Sequence, residues 1–305
     1  PGGAGSVTVL ANGDIVYCDG TDLWRQPTGQ PRQSLLHLPA FVFGSFTLDA
    51  GGGNLLFGEN STHTLWLVPL AGPAPSAPLT TVVFNYDAAL LDPLHAVVSA
   101  KTGGFGTPDN QLLVVGLTTG ATQTLASLPG ASGAVAVASN GDVYYATASL
   151  PFPTPAGQTD VVRLRRPIVD AALQQGIVLG IPDTEPVFAG LDAAADLCFD
   201  DDGDLLFTDW FTNALGELND AAGPAPWRSA ALVDYGIAPG AAAVQFLPGP
   251  GAGTFEPFQP AGGTVAVFET DFFSVSTVRL LTARRAELAP VGAAPIPTGT
   301  VTLQV

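Results

Sequence analysis

An apolar run of strand length, a tight polar turn and a second apolar run closing near an acid return again and again along this chain. The cleanest copy spans Asp196 to Asn219, DLCFDDDGDLLFTDWFTNALGELN: Leu197 and Phe199 lead into a turn at Asp202-Gly203, and Leu205 to Phe207 run on to Thr208 and Asp209. A third apolar segment follows around Leu215 and Leu218. That is two hairpins' worth of strand in about two dozen residues.

Val7 to Gln26 repeats the order, with its turn at Asn12-Gly13-Asp14 and Asp19 at the end of the second run. Phe46 to Pro69 does so again, with Gly51 to Gly53 as the turn and Glu59 in the acid position. The copy from Ala88 turns at Asp92-Pro93 and carries Ala100-Lys101 where an acid stood before. Val135 to Leu164 holds the turn Asn140-Gly141-Asp142 and then a Pro-rich insertion. In the last copy a Gly/Pro-rich insertion separates Ala243–Leu247 from Thr264–Phe268, and Glu269, Asp271 and Val275–Leu281 follow. Fourth apolar segments stand at Ser34–Leu38, Gln123–Leu128 and Ala230–Asp234.

Four strands in a meander, repeated at roughly fifty residues, predict an all-β fold, a six-bladed β-propeller with four-stranded antiparallel blades. A seventh blade fits if the insertions at 150–160 and 248–262 conceal strands. Continuous apolar runs such as Leu55-Leu56-Phe57 and Leu205-Leu206-Phe207 suit strands buried on both faces. The only helical signal is one turn over Asp170–Gln175. Residues 1–292 read as the propeller, and 293–305 as a linker with an extra strand, TVTLQV, whose alternating residues are Val301, Leu303 and Val305. That strand either closes its own ring or adds to a neighbouring subunit.

The pattern of strand, Asp/Asn-Gly-Asp turn, strand ending in Asp, polar loop and third strand resembles the NHL/YVTN-type propeller repeat. FDDDGDLLFTD, ASNGDVYYA and LANGDIVYCD carry the likeness. It implies that the loop after each second strand opens on a ligand-binding face. It extends to propeller lactonases of the SMP-30 type, which hold a metal in the central channel.

Charge narrows the function. With 10 basic against 27 acidic residues the net charge is −17, a field that repels phosphate backbones and anionic membranes. Nucleic acid partners are therefore excluded, as is membrane insertion, because no apolar run reaches the ~18 residues a spanning helix needs. The absence of methionine and the opening Pro1-Gly2-Gly3 read as a processed, exported product, secreted or at the cell surface. Asn60-Ser61-Thr62 fits a glycosylation acceptor. Cys18 and Cys198 lie in distant units and read as buried thiols rather than a bridge.

The acidic cluster Asp200, Asp201, Asp202 and Asp204 is not an EF-hand, because Leu205 and Phe211 occupy the positions that require Gly and Glu. The recurring acids Asp19, Glu59, Asp209 and Glu269 offer a converging set that Ca²⁺ would suit. The competing reading has each acid holding the backbone N–H groups of its own turn. His37, His63 and His95 fall in different units, without nucleophile elbow or triad. Arg163, Arg165 and Arg166 read as an exposed edge. Trp24 and Trp66 match in third strands. Trp210, Phe211, Phe272 and Phe273 follow second strands and either form a sugar- or peptide-binding platform or pack between blades. The expected function is a non-enzymatic extracellular binding or assembly protein. It requires no cofactor, and its partner is a protein, a glycan or another copy of itself. The alternative is a metal-dependent propeller hydrolase of lactonase type.

Overall fold

The computed structural model describes residues 6–42, 44–103, 109–129, 133–148, 159–191, 194–199, 203–209, 214–218, 221, 231–234, 243–245, 267–270, 278–282 and 300–302. Within them five four-stranded antiparallel meanders follow one another. The first holds β1 (Ser6–Val9), β2 (Ile15–Cys18), β3 (Asp22–Gln26) and β4 (Gln33–His37). The second holds β5 (Ser45–Gly51), β6 (Asn54–Glu59), β7 (Thr64–Pro69) and β8 (Thr80–Thr81). The third holds β9 (Asp87–Asp92), β10 (His95–Lys101), β11 (Asn110–Gly116) and β12 (Thr122–Ser127). The fourth holds β13 (Val135–Val137), β14 (Val143–Ala148), β15 (Thr159–Leu164) and β16 (Glu185–Leu191). The fifth holds β17 (Ala194–Phe199), β18 (Leu205–Asp209), β19 (Ala214–Leu218) and β20 (Ala231–Asp234).

The first strand of each sheet lies against the first strand of the next, from β1 to β5, β9, β13 and β17 in turn. Beyond β17 come β21 (Ala243–Gln245), β22 (Val267–Thr270), β23 (Val278–Thr282) and β24 (Thr300–Thr302). β23 touches both β17 and β1, and β22 touches β1, so the succession returns to its start. The pairing here departs from a simple meander: β22 pairs with β23, whereas β21 pairs with β24, setting Val244 opposite Val301.

The core is divided into layers between consecutive sheets. Val16, Leu23 and Leu36 of the first sheet pack on Leu55, Phe57 and Trp66 of the second. Leu56 and Leu65 turn the other way, onto Ala96 and Val98 of the third. Val97 and Leu112 meet Val143 and Tyr145 of the fourth, and Tyr144 and Val161 meet Leu205 and Phe207 of the fifth. The unbroken apolar runs are thus strands with an apolar layer on either side. Trp66 is a packing residue. Cys18 is buried, and neither it nor Cys198 forms a disulfide.

The Asn/Asp-Gly-Asp turns all join first to second strands. Gly13, Gly141 and Gly203 have φ of 84°, 84° and 87°, a left-handed conformation that glycine adopts without steric cost. Asn12 and Asn140 accept the N–H of Asp14 and Asp142 at 3.0 and 2.9 Å. The final aspartates Asp14, Asp142 and Asp204 are buried. Asp14 binds Arg25 of β3 at 2.6–2.7 Å, and Arg25 reaches on to the Leu70 carbonyl beside the next sheet.

Two sequence expectations are corrected here. The helix is not a single turn over 170–175 but α1, Arg166–Gln175; Pro167 fits its first turn, and Gly176 caps it in the left-handed conformation. Val169 and Ala172 bury one face of it against the third and fourth sheets. Arg163 is not on an exposed edge but fully buried. It donates to Glu185 at 2.7 Å, to the Tyr144 hydroxyl at 3.3 Å and to the Ala221 carbonyl at 3.4 Å, with Asp142 at 3.9 Å. Three arginines in four residues look like solvated charge, yet strand alternation sends Arg163 inward, where acids from two other segments await it.

Arg163→Ala is expected to lower the unfolding free energy by about 3 kcal/mol, since it strips a cation from a buried cluster and leaves its acids behind. Arg163→Lys should recover only part, lacking the planar fork; denaturant midpoints measure both. Removing residues 300–305 should lower the thermal midpoint of the chain, through loss of the β21–β24 ladder, and leave its particle size by light scattering unchanged.

Candidate functional site: the loop end of the ring

Strand direction alternates within each meander, so the loops after second strands and the connections from fourth strands to the next sheet emerge at one end of the ring. Asp19 and Glu59 stand there. Oδ1 of Asp19 accepts the N–H groups of Thr21 and Asp22 at 3.1 and 2.9 Å and the Thr21 hydroxyl at 3.0 Å; Oδ2 accepts Trp24 Nε1 at 2.7 Å. Glu59, buried at 1% exposure, accepts the N–H groups of Ser61, Thr62 and Thr64 at 2.8, 2.9 and 3.2 Å, together with the Thr62 and Thr64 hydroxyls. Burial pushes both carboxyls upward, but these donors outweigh it and hold each below its ordinary value. Each acid is saturated by its own hairpin.

Asp209 and Glu269 are placed by backbone only, opposite Ala214 and Arg279. Trp210, Phe211, Asp271, Phe272, Phe273, Leu303 and Val305 lie outside the described residues. Among the described residues no three His, Cys, Asp or Glu side chains come together in a metal-binding group.

In the third sheet Lys101 takes the acid position, and its partner comes from across the hairpin. Its buried Nζ lies 3.7 Å from Asp109 Oδ1, while Thr102 donates to Asp109 Oδ2 at 2.6 Å. Desolvation holds the Lys101 ammonium below the usual lysine range, against the pull of Asp109. The charge pattern is reversed, and the hairpin is still closed by a polar clasp.

Two further features of this end escaped the sequence reading. His63 and Phe84 have φ of 62° and 46°, left-handed values that carry a cost of about 1–2 kcal/mol for residues with a side chain. They hold each other: His63 Nδ1 accepts the Phe84 N–H at 3.1 Å, and the rings meet edge to face with centroids 4.5 Å apart. Asn85 locks the pair from below, donating to the carbonyls of Glu59 and Val82 at 2.7 and 3.1 Å. Nearby, the sheet connections carry Phe41 and Val83, 44% and 45% exposed. The Phe41 ring lies over Gly20, where a Cβ would fall 2.6 Å from it. The signal in the sequence was apolar residues within connections broken by Pro39 and Asn85. Of the other histidines, His37 is exposed beside Asp22, and His95 lies at the opposite end of the ring.

No protein-family model and no curated protein matches the sequence. Solved structures do resemble the fold. One is a crystal structure of a nidogen/laminin complex, with a TM-score of 0.54 at 10% identity over 74% of this chain and 79% of that one. Another is virginiamycin B lyase from Staphylococcus aureus, at 0.52 and 11% over 81% of each chain. A third is a luciferin-regenerating enzyme, at 0.50 and 11% over 80% and 83%. At such identities the likeness speaks for architecture alone: meanders in a ring, their cores between sheets, make this chain a β-propeller.

Proposed function

We propose that this chain is a six-bladed propeller of NHL/SMP-30-like type acting outside the cell as a non-enzymatic binding protein, with the loop end as its contact surface for a protein partner. The observation that carries the reading is how that end uses its side chains. Asp19 and Glu59 are bound by their own turns, Lys101 is bound by Asp109, and His63 Nδ1 holds Phe84. Among the described residues the large apolar side chains most exposed there are Phe41 and Val83, the latter next to the strained and locked His63–Phe84 corner. The described residues of this end offer shape and apolar contact. One structural neighbour comes from a nidogen/laminin complex, an assembly of two proteins, which fits this use of a propeller. Six blades is the reading supported by five meanders together with β22 and β23, which touch β1, β23 touching β17 as well. Because β24 is paired within its own chain, the reading assigns binding to the loop end and not to the terminal strand.

The double variant Phe41→Ser/Val83→Ser is expected to keep the wild-type far-ultraviolet spectrum and to lose about tenfold in affinity for proteins captured from the medium of the source cells. In the wild type, cross-links should map to residues 38–42, 60–64 and 82–86. Unchanged capture by the folded variant, or turnover of a lactone that chelators abolish, would sink the reading.

Glu59→Gln separates the turn role from a metal role. A carboxylate whose folded pKa is depressed contributes stability above its unfolded value of about 4.3, and that stability is lost as pH falls through the folded value. The variant should therefore be less stable at neutral pH by about 1–2 kcal/mol and show a flatter stability profile below pH ~5. A chelator should leave the wild-type melting midpoint where it is.

A further inference from the structure

The opposite end of the ring holds a cleft of about 420 Å³ between the third sheet and α1. Its size falls within the range of about 300–1,000 Å³ typical of small-ligand sites. The segment joining β15 to β16, residues 165–184, builds it by leaving the fourth sheet to lie along the third. Three ties fix it there. Leu179 continues the third sheet beside β12, accepting the Ser127 N–H and donating to the Leu125 carbonyl, both at 2.9 Å. Gln123 Nε2 donates to the Leu173 carbonyl at 2.9 Å. Arg166 Nη1 donates to the Leu91 carbonyl at 3.0 Å. The helix is anchored at both ends, so the cleft is a fixed feature of the fold.

Inside it each acid already has a nitrogen partner. Arg166 Nε donates to Asp170 Oδ1 at 2.7 Å, and His95 Nδ1 lies 2.9 and 3.0 Å from the two oxygens of Asp92. Both pairs are partly exposed, so an ionic ligand would compete there with an existing partner and with water. The chain's net charge of −17 further opposes an anion. What the cleft still offers is hydrogen-bonding capacity: His95 Nε2, the second oxygen of Asp170, the Gln174 amide and the Thr122 hydroxyl. Leu91, Val114 and Leu173 form an apolar wall beside these groups. Hydrogen-bonding groups next to an apolar wall match a ring that has hydroxyls on its rim and C–H bonds on its face.

We infer that this cleft binds an uncharged saccharide unit, one pyranose ring in size, with His95, Asp170 and Gln174 reading its hydroxyls. The site is separate from the loop end and does not depend on a partner there.

The test is saturation-transfer difference NMR on the intact chain with a panel of neutral pentoses, hexoses and N-acetylhexosamines, and with glutamate and lysine as charged probes. At least one neutral sugar is expected to give saturable binding that neither charged probe displaces. Gln174→Ala and His95→Ala should each weaken it about tenfold, and Phe41→Ser/Val83→Ser should leave it unchanged. Should His95→Ala fail to fold for want of its pair with Asp92, Gln174→Ala decides alone. No saturable binding across the panel, preference for a charged probe, or unaltered affinity in a folded Gln174→Ala would overturn the inference.

Discussion

The strands β6, β10 and β14 depend on having an apolar layer on each of their faces. Leu55 and Phe57 point to one neighbouring sheet while Leu56 points to the other. Val97 parts from Ala96 and Val98 in the same way. A four-stranded sheet with two apolar faces is insoluble by itself, and burying one face against a partner leaves the other exposed. Only a closed succession satisfies all of them, and for that reason the contacts that return from β23 and β22 to β1 matter to the whole chain rather than to its last segment.

Polar groups hold the ends of these layers in place. Asp14 with Arg25, and Arg166 with Asp170, each send an arginine across to a carbonyl of a neighbouring sheet, Leu70 in one case and Leu91 in the other. Asp87 does the same with a carboxylate, accepting the Val135 N–H of the following sheet at 2.9 Å. Apolar packing sets which faces meet, and these directional contacts fix how far one sheet slides along the next. The acids gathered at turns and strand ends are part of this framework, and Asp19 and Glu59 each accept backbone N–H groups of their own turn.

Much of the architecture was legible in the residues. Period, turn type and the two-faced strands follow from short-range chemistry: Gly between Asn and Asp specifies its turn wherever it occurs, and Leu55-Leu56-Phe57 can only be a strand covered twice. The acid positions carried two readings, and for Asp19 and Glu59 the hydrogen bonds lie with the turn. What stayed hidden depends on distant partners. Arg163 looked solvated because Glu185 and Ala221, which surround it, lie more than twenty residues away. The extent of α1 was obscured because Arg165 and Arg166 read as charge rather than as a helix start, although Pro167 and Gly176 mark both ends. The left-handed His63 and Phe84 could not be foreseen, since their conformation exists only through contact with each other.

The pairing of β21 with β24 has a consequence for how the molecule comes into being. Val244 must wait for Val301 to be synthesised before its ladder forms, and β1 waits for β22 and β23 to cover its open flank. The first meander therefore leaves the ribosome long before its last neighbour exists, with Ser6–Val9 exposed along one side. Loop closure over nearly the whole chain is entropically costly and slow compared with each local hairpin. A nascent chain of this kind carries an uncovered β1 flank until β22 and β23 emerge, and their arrival ends that exposure.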